Sequence, residues 1–230
     1  MPTLDRTLTV ARIVTEHART ARVFQQHGID YCCHGDVSVA EACEGARLDP
    51  EARFAELEAA LAAADGTPEE DPRALSTAAL LARIVDRHHG YLRRALPYIA
   101  PIMAKVAKVH GPKDAHLKDL AAAFEALAAS LSPHLDEEEQ VLFPALVSRA
   151  PDTALIAREL SKMHEEHLGV GDLLGTIRRL TAGFTIPEWG CNTYRVLMAE
   201  LEALEADILR HVHLETHVLA PRFAPAARAA

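Results

Sequence analysis

Residues 117–144 read LKDLAAAFEALAASLSPHLDEEEQVLFP, and their apolar spacing decides the fold. Leu117, Leu120, Phe124, Leu127 and Leu131 advance in alternating steps of three and four, the rhythm of a helix that buries one stripe. The same rhythm then lands on His134, Glu138 and Val141. Two polar residues therefore take consecutive positions where a bundle helix carries leucine. Pro133 removes one backbone hydrogen bond, but the ladder continues across it, which predicts a kink rather than an end.

The pattern recurs on both sides of this stretch. The fourth ladder reads Leu197, Leu201, Leu204, Ile208, His211, Glu215, Val218, and the third reads Ile156, Leu160, Met163, His167, Val170, Leu174, Ile177. The first reads Val85, His89, Leu92, Leu96, Ile99; a neighbouring ladder through Leu81, His88 and Leu92 fits about as well, so periodicity leaves His88 and His89 as alternatives. Four long patterns near 76–108, 115–148, 152–182 and 192–219, joined by short loops, predict an all-α protein built on an up-down-up-down four-helix bundle.

Residues 1–64 predict a small helical domain. One helix runs from about Thr9 to His27 and stops at Gly28, and Ile29 to Asp36 form a loop carrying Cys32 and Cys33. Ser38 and Glu41 have capping-box spacing before a short helix through Cys43. Asp49-Pro50 opens another, with proline at its first position. The polar, proline-rich residues 65–75 read as a linker, and 76–223 as the bundle domain.

Composition narrows the function. The 230 residues carry a formal charge of −9, which argues against a non-specific nucleic-acid binder. No apolar run is long enough to span a membrane, and the N-terminus lacks a basic-then-apolar targeting pattern, so a cytoplasmic location is expected. Four cysteines are too few for a disulfide scaffold. The anomaly is thirteen histidines, several of them inside apolar ladders.

Four seam histidines with Glu138 and Glu215 converge on one bundle core in this reading. Buried ionised carboxylates carry a desolvation penalty of roughly several kcal/mol each and repel one another, and no Lys or Arg lies on the seams. A pair of divalent metals resolves the conflict, because carboxylates bridge and neutral imidazoles fill terminal positions. Mixed N/O ligation suits iron or manganese better than a closed zinc site. His134-x3-Glu138-x3-Leu142-x-Pro144 and His211-x3-Glu215-x3-Leu219-x-Pro221 share every offset, as a pseudo-symmetric centre requires. His164 and His213 lie off the seams and read as solvated neighbours, and His217, near Glu215, reads as a surface residue, with a place behind the metal ligands as the alternative. Of the acidic run Asp136 to Glu139, only Glu138 is expected to point inward.

These motifs resemble a known family. HLDEEEQVLFP (134–144) and HVHLETHVLAP (211–221) look like the paired metal motifs of hemerythrin-like proteins, RHHGYLRRALP (87–97) like their first-helix histidine motif, and MHEEHLGVGDLL (163–174) like the third. GIDYCCHG (28–35) is similar to the double-cysteine signature of the repair of iron centres (RIC) family. The resemblance spans essentially the whole chain. It implies ligands at His89, rather than His88, and at His134, Glu138, His167, His211 and Glu215. It also implies two non-haem iron ions with an oxo or hydroxo bridge, the glutamates bridging them. Glu166 and His110 match positions near the metal site or its access path. Leu219-Ala220-Pro221 departs from the usual Leu-Phe-Pro without touching a ligand, and the four histidines fall short of the five typical of oxygen carriers.

Adjacent cysteines in a loop bounded by Gly28 and Gly35 read as exposed thiols able to bind or relay iron or to exchange redox state. Cys43 adds a third thiol if its helix folds back, and Cys191 reads as a loop residue. The resemblance implies a stress protein that restores iron–sulfur clusters damaged by nitric oxide or oxidants, with iron–sulfur client proteins as partners. A di-iron nitric oxide reductase and a scavenger or sensor of nitric oxide or oxygen are the alternatives. A homodimer is compatible with the sequence.

Overall fold

The structure, a computed structural model, describes residues 4–63 and 71–223. Among these residues there is no strand, only one isolated antiparallel bridge between Thr9 and Ser38. The all-α expectation holds. Residues 65–70 of the expected linker lie outside the described residues.

By its internal contacts the chain divides into two bodies, residues 1–80 with 209–230, and residues 81–208. The first body begins with α1 (Val10–Glu16), capped by the Thr9 side chain on Arg12 N–H. It continues through a 3₁₀ turn, Ala18–Thr20, into α2 (Ala21–Gln26). The single helix expected from Thr9 to His27 is thus broken at His17, whose backbone turns to φ −141°, ψ 78°. Gly28 does stop it, at φ +66°, a left-handed conformation that glycine adopts without a Cβ penalty. α3 (Val39–Ala46) opens on a complete Ser38–Glu41 capping box, and α4 (Pro50–Ala62) on Asp49 with Pro50 at the first position. Val10, Ile13, Phe24, Tyr31, Val39 and Leu57 pack into this body's core.

The second body is the helical bundle. α5 (Thr77–Ile84) runs into a π-helical turn, Val85–His89, and then α6 (Gly90–His110). α7 (His116–Glu137) passes through Pro133 without ending, enters a π turn at Glu138–Leu142 and finishes as α8 (Phe143–Leu146). α9 (Thr153–Leu180) starts on an Asp152 cap and is regular throughout. α10 (Asn192–His213) begins in this body; its last residues, from Leu209, and the third π turn that follows, Leu214–Leu219, belong to the first.

These π turns are where the ladders change phase. A π turn inserts one extra residue, so the next inward position is displaced. Val141, expected on the seam, is exposed, and Leu142 is buried in its place. In the first ladder fully buried Ile84 is followed by fully buried His89, five residues on, while Val85 is only half-buried. No described helix is long and apolar enough to cross a membrane.

Candidate metal centre

Three of the four long helices change to π geometry at a candidate ligand: His89, Glu138 and Glu215 each lie in such a turn. π turns recur at functional sites because the extra residue re-aims side chains that a regular helix would point elsewhere.

Within the bundle body, His89, His134, Glu138 and His167 are all buried. Glu138 stands between two histidines and shows each a different oxygen: Oε2 lies 3.4 Å from His89 Nε2, and Oε1 lies 3.4 Å from His134 Nε2. His134, Glu138 and His167 bring ligand atoms within 4.8 Å of one another. The His134 and His167 rings meet edge-on at 5.1 Å, and His89 stacks on Phe143 at 5.6 Å.

The opposite ring nitrogens are held by further carboxylates. His89 Nδ1–H donates to Glu139 Oε1 at 2.8 Å, and His134 Nδ1–H donates to Glu166 Oε2 at 2.7 Å. A carboxylate only accepts, so Nδ1 carries a proton, and in the tautomer that a metal requires the Nε2 lone pair faces Glu138. Two acceptors 3.4 Å apart do not hydrogen-bond well; a cation between them reconciles both contacts. The donor set therefore fits a metal.

In the other body, His211 ends the regular part of α10 and Glu215 lies in the turn that follows. Both are buried, with His211 Nε2 2.9 Å from Glu215 Oε1. The same His-x3-Glu pair thus stands on two helices.

His88 turns away from Glu138: it is buried and its Nδ1 lies 2.9 Å from Asp207 Oδ1. His164 is exposed, as expected. Glu166 holds His134 and lines a small cleft of about 10 Å³ beside Glu138, together with Glu137, Glu159 and Lys162. Lys162 bridges Glu137 at its edge.

Four expectations need correction. His110, matched to a position near the metal site or its access path, ends α6 about 30 Å along the helix from His89 at 1.5 Å per residue, which removes it from the ligands' surroundings. Glu139, read as part of a solvated face, is the carboxylate that orients His89. Burial pushes its carboxyl up, but the hydrogen bonds from His89 and Arg93 prevail and hold it below its usual range. His213 is buried rather than solvated: its Nδ1–H donates to Tyr31 O at 3.1 Å, and its Nε2 lies 3.0 Å from Thr15 Oγ1. His217 is half-buried, 5.1 Å from the His213 ring and 3.7 Å from Asp36.

Residues 80–223 match the family model described as the hemerythrin HHE cation-binding domain, and residues 6–61 match ScdA_N, a domain of unknown function (DUF542). The chain is 34% identical over 206 residues to the iron-sulfur cluster repair protein YtfE of Yersinia pestis (strain Pestoides F), an overlap covering 89% of this chain and 90% of that one. The YtfE protein of Yersinia pseudotuberculosis serotype O:1b matches equally over the same shares. The chain belongs to the repair of iron centres family.

The double cysteine of this RIC chain sits in a loop built on Asp30. One Asp30 oxygen accepts the N–H groups of Cys32 and Cys33, both at 2.9 Å, and lies 3.1 Å from Cys32 Sγ; the other accepts His34 Nδ1–H at 2.7 Å. Burial pushes the Asp30 carboxyl up, yet these bonds outweigh it and hold the group below its usual range. The two sulfurs are 3.5 Å apart and both thiols are free. The expected exposure fails for Cys32, which is buried, while Cys33 is half-buried. The hydrogen bond with Cys33, then burial, then the Asp30 charge push the Cys32 thiol well above its ordinary value. Asp30, Cys32 and Cys33 bring ligand atoms within 4.8 Å of one another; Cys43, buried in α3, is not part of that group.

Proposed function

We propose that this chain repairs iron–sulfur clusters damaged by nitric oxide or oxidative stress, donating iron from a di-iron centre. The centre consists of His89, His134, Glu138, His167, His211 and Glu215, with Glu138 and Glu215 bridging two non-haem irons that also share an oxo or hydroxo group. The observation that carries the reading is Glu138, buried between His89 and His134 and offering one oxygen to each. Glu139 and Glu166 keep the two imidazoles in the tautomer that ligation needs. The relatives' printed name, iron-sulfur cluster repair protein, supports the client class.

Iron is here both bound and handed on. Carboxylate-rich ligation holds ferrous iron less tightly than ferric, so reduction favours release. Cys33, the more accessible thiol of the Asp30 loop, is the first capture point, and Cys32 joins by giving up its proton to the incoming metal. The small domain is 1–64, the linker 65–75 and the bundle domain 76–223, and the work is done in the cytoplasm on iron–sulfur client proteins.

The test follows cluster rebuilding on an apo client protein and nitrous oxide formation in parallel, for wild type and the Cys32→Ser/Cys33→Ser variant. Iron donation predicts rebuilding that the double variant slows while the bundle keeps its iron. Rapid nitrous oxide turnover, indifferent to the cysteines and without iron loss, would replace this reading with nitric oxide reduction.

A further inference from the structure

The bundle body carries a second group of reactive side chains, one helix length from the histidine–glutamate cluster. His110 closes α6 and Cys191 immediately precedes α10. His110 Nε2 lies 3.2 Å from Cys191 Sγ. The His110 ring is buried and packs 5.3 Å from Trp189 and 5.9 Å from Tyr194, which meet each other edge-on at 5.2 Å. Cys191 itself is exposed. A buried imidazole thus points outward at an accessible sulfur and is fixed there by two aromatic rings.

The backbone is shaped to present that sulfur. Gly190 N–H donates to Pro187 O at 2.8 Å, and a Cβ on Gly190 would stand 2.9 Å from that oxygen and 3.0 Å from Ile186 Cγ2, so the turn closes only with glycine. The Cys191 carbonyl accepts Arg195 N–H at 3.0 Å, which makes Cys191 the residue that caps α10. Its sulfur faces the N–H groups of Tyr194 and Thr193 at the positive end of a 22-residue helix.

The Tyr194 N–H and then His110 draw the thiol down to about 7. The groups facing it are His110 from α6 and Tyr194 from α10; Asp114, just past α6, acts on Tyr194. Cys32 and Cys43 are shifted the other way, Cys43 by burial.

We propose that Cys191 and His110 form a thiolate site that exchanges with low-molecular-weight disulfides and so carries a reversible mixed disulfide. Cys191 Sγ, having passed its proton to His110, attacks one sulfur of RS–SR. The Cys191–S–SR bond forms as the RS–SR bond breaks, and the leaving RS⁻ takes the proton back from His110. Cys191 is oxidised and the disulfide is reduced, with RSH as the product; an added thiol reverses the step.

Two measurements on the reduced full-length protein test this, both read on the Cys191 peptide by mass spectrometry. Iodoacetamide alkylation followed against pH has its midpoint at about 7 in wild type. His110→Gln moves the midpoint up by roughly one unit, toward an ordinary thiol at about 8.5. Glutathione disulfide at neutral pH then forms a mixed disulfide at Cys191 roughly three-fold faster than with an unperturbed thiol, since a larger thiolate fraction outweighs its lower nucleophilicity. A wild-type midpoint near 8.5, a midpoint indifferent to His110→Gln in a helical protein, or alkylation without mixed-disulfide formation would each overturn the proposal. Should His110→Gln lose helicity, the wild-type midpoint and the glutathione rate decide alone.

Discussion

Glu139 holds His89 by its outer nitrogen, Oε1 to Nδ1 at 2.8 Å, and so turns the inner nitrogen of that ring toward Glu138. Glu166 does the same for His134. Removing such a partner leaves the ligand present but free to rotate or to change tautomer. Glu139→Ala and Glu166→Ala should each lower iron affinity by about 10- to 100-fold with helicity unchanged, measured by competition with a chelator. Unaltered affinity in both variants would mean that the carboxylates do not orient ligands.

His89 and His88 are adjacent and both buried, yet they face different partners. His89→Ala should lose bound iron. His88→Ala breaks the bond to Asp207 and should keep iron while costing about 1–3 kcal/mol of stability. Metal content and thermal melts of the two variants separate the roles, and the opposite pattern would reverse the assignment.

A buried carboxylate is costly once its cation is gone. Glu138→Leu and Glu215→Leu should therefore abolish the di-metal centre yet leave a helical protein whose melting temperature equals or exceeds that of wild-type apo-protein. A clearly lower one would show that the carboxylate is structural.

The Cys32 thiol is pushed up by Cys33, burial and Asp30, so the fold favours its protonated form. A group whose folded pKa is raised contributes stability below its unfolded value and loses it as pH rises through the folded one. Stability of the N-terminal domain should thus decline above about pH 8.5, the ordinary thiol value, and Cys32→Ser should flatten that slope. Denaturant melts across this range check it; identical slopes would contradict the assignment.

The fold was legible because three- and four-residue steps survive in the sequence, and they located each long helix, including the one that runs through Pro133. The π turns were not legible. In the second ladder the shift comes only after Glu138, so Val141 looked as well placed as Leu142; in the first it comes just before His89, so Val85 looked as well placed as Ile84. The His-x3-Glu pairs stood out, whereas Glu139 was hidden in an acidic run in which the ladder selects only Glu138. His213 and Cys32 are buried against expectation for different reasons. The burial of His213 comes from contacts distant in sequence, with Thr15 and Tyr31, whereas Cys32 is held by a local turn on Asp30 that periodicity does not reveal. His110 could not be paired with Cys191 from a spacing of 81 residues.

A centre built of six His and Glu side chains, as proposed above, should hold two irons. Elemental analysis of the protein produced with adequate iron tests it most directly. Two irons per chain are expected, falling in His89→Ala and Glu138→Leu and unchanged in His88→Ala. One zinc per chain, or no metal in a fully helical protein, would contradict it.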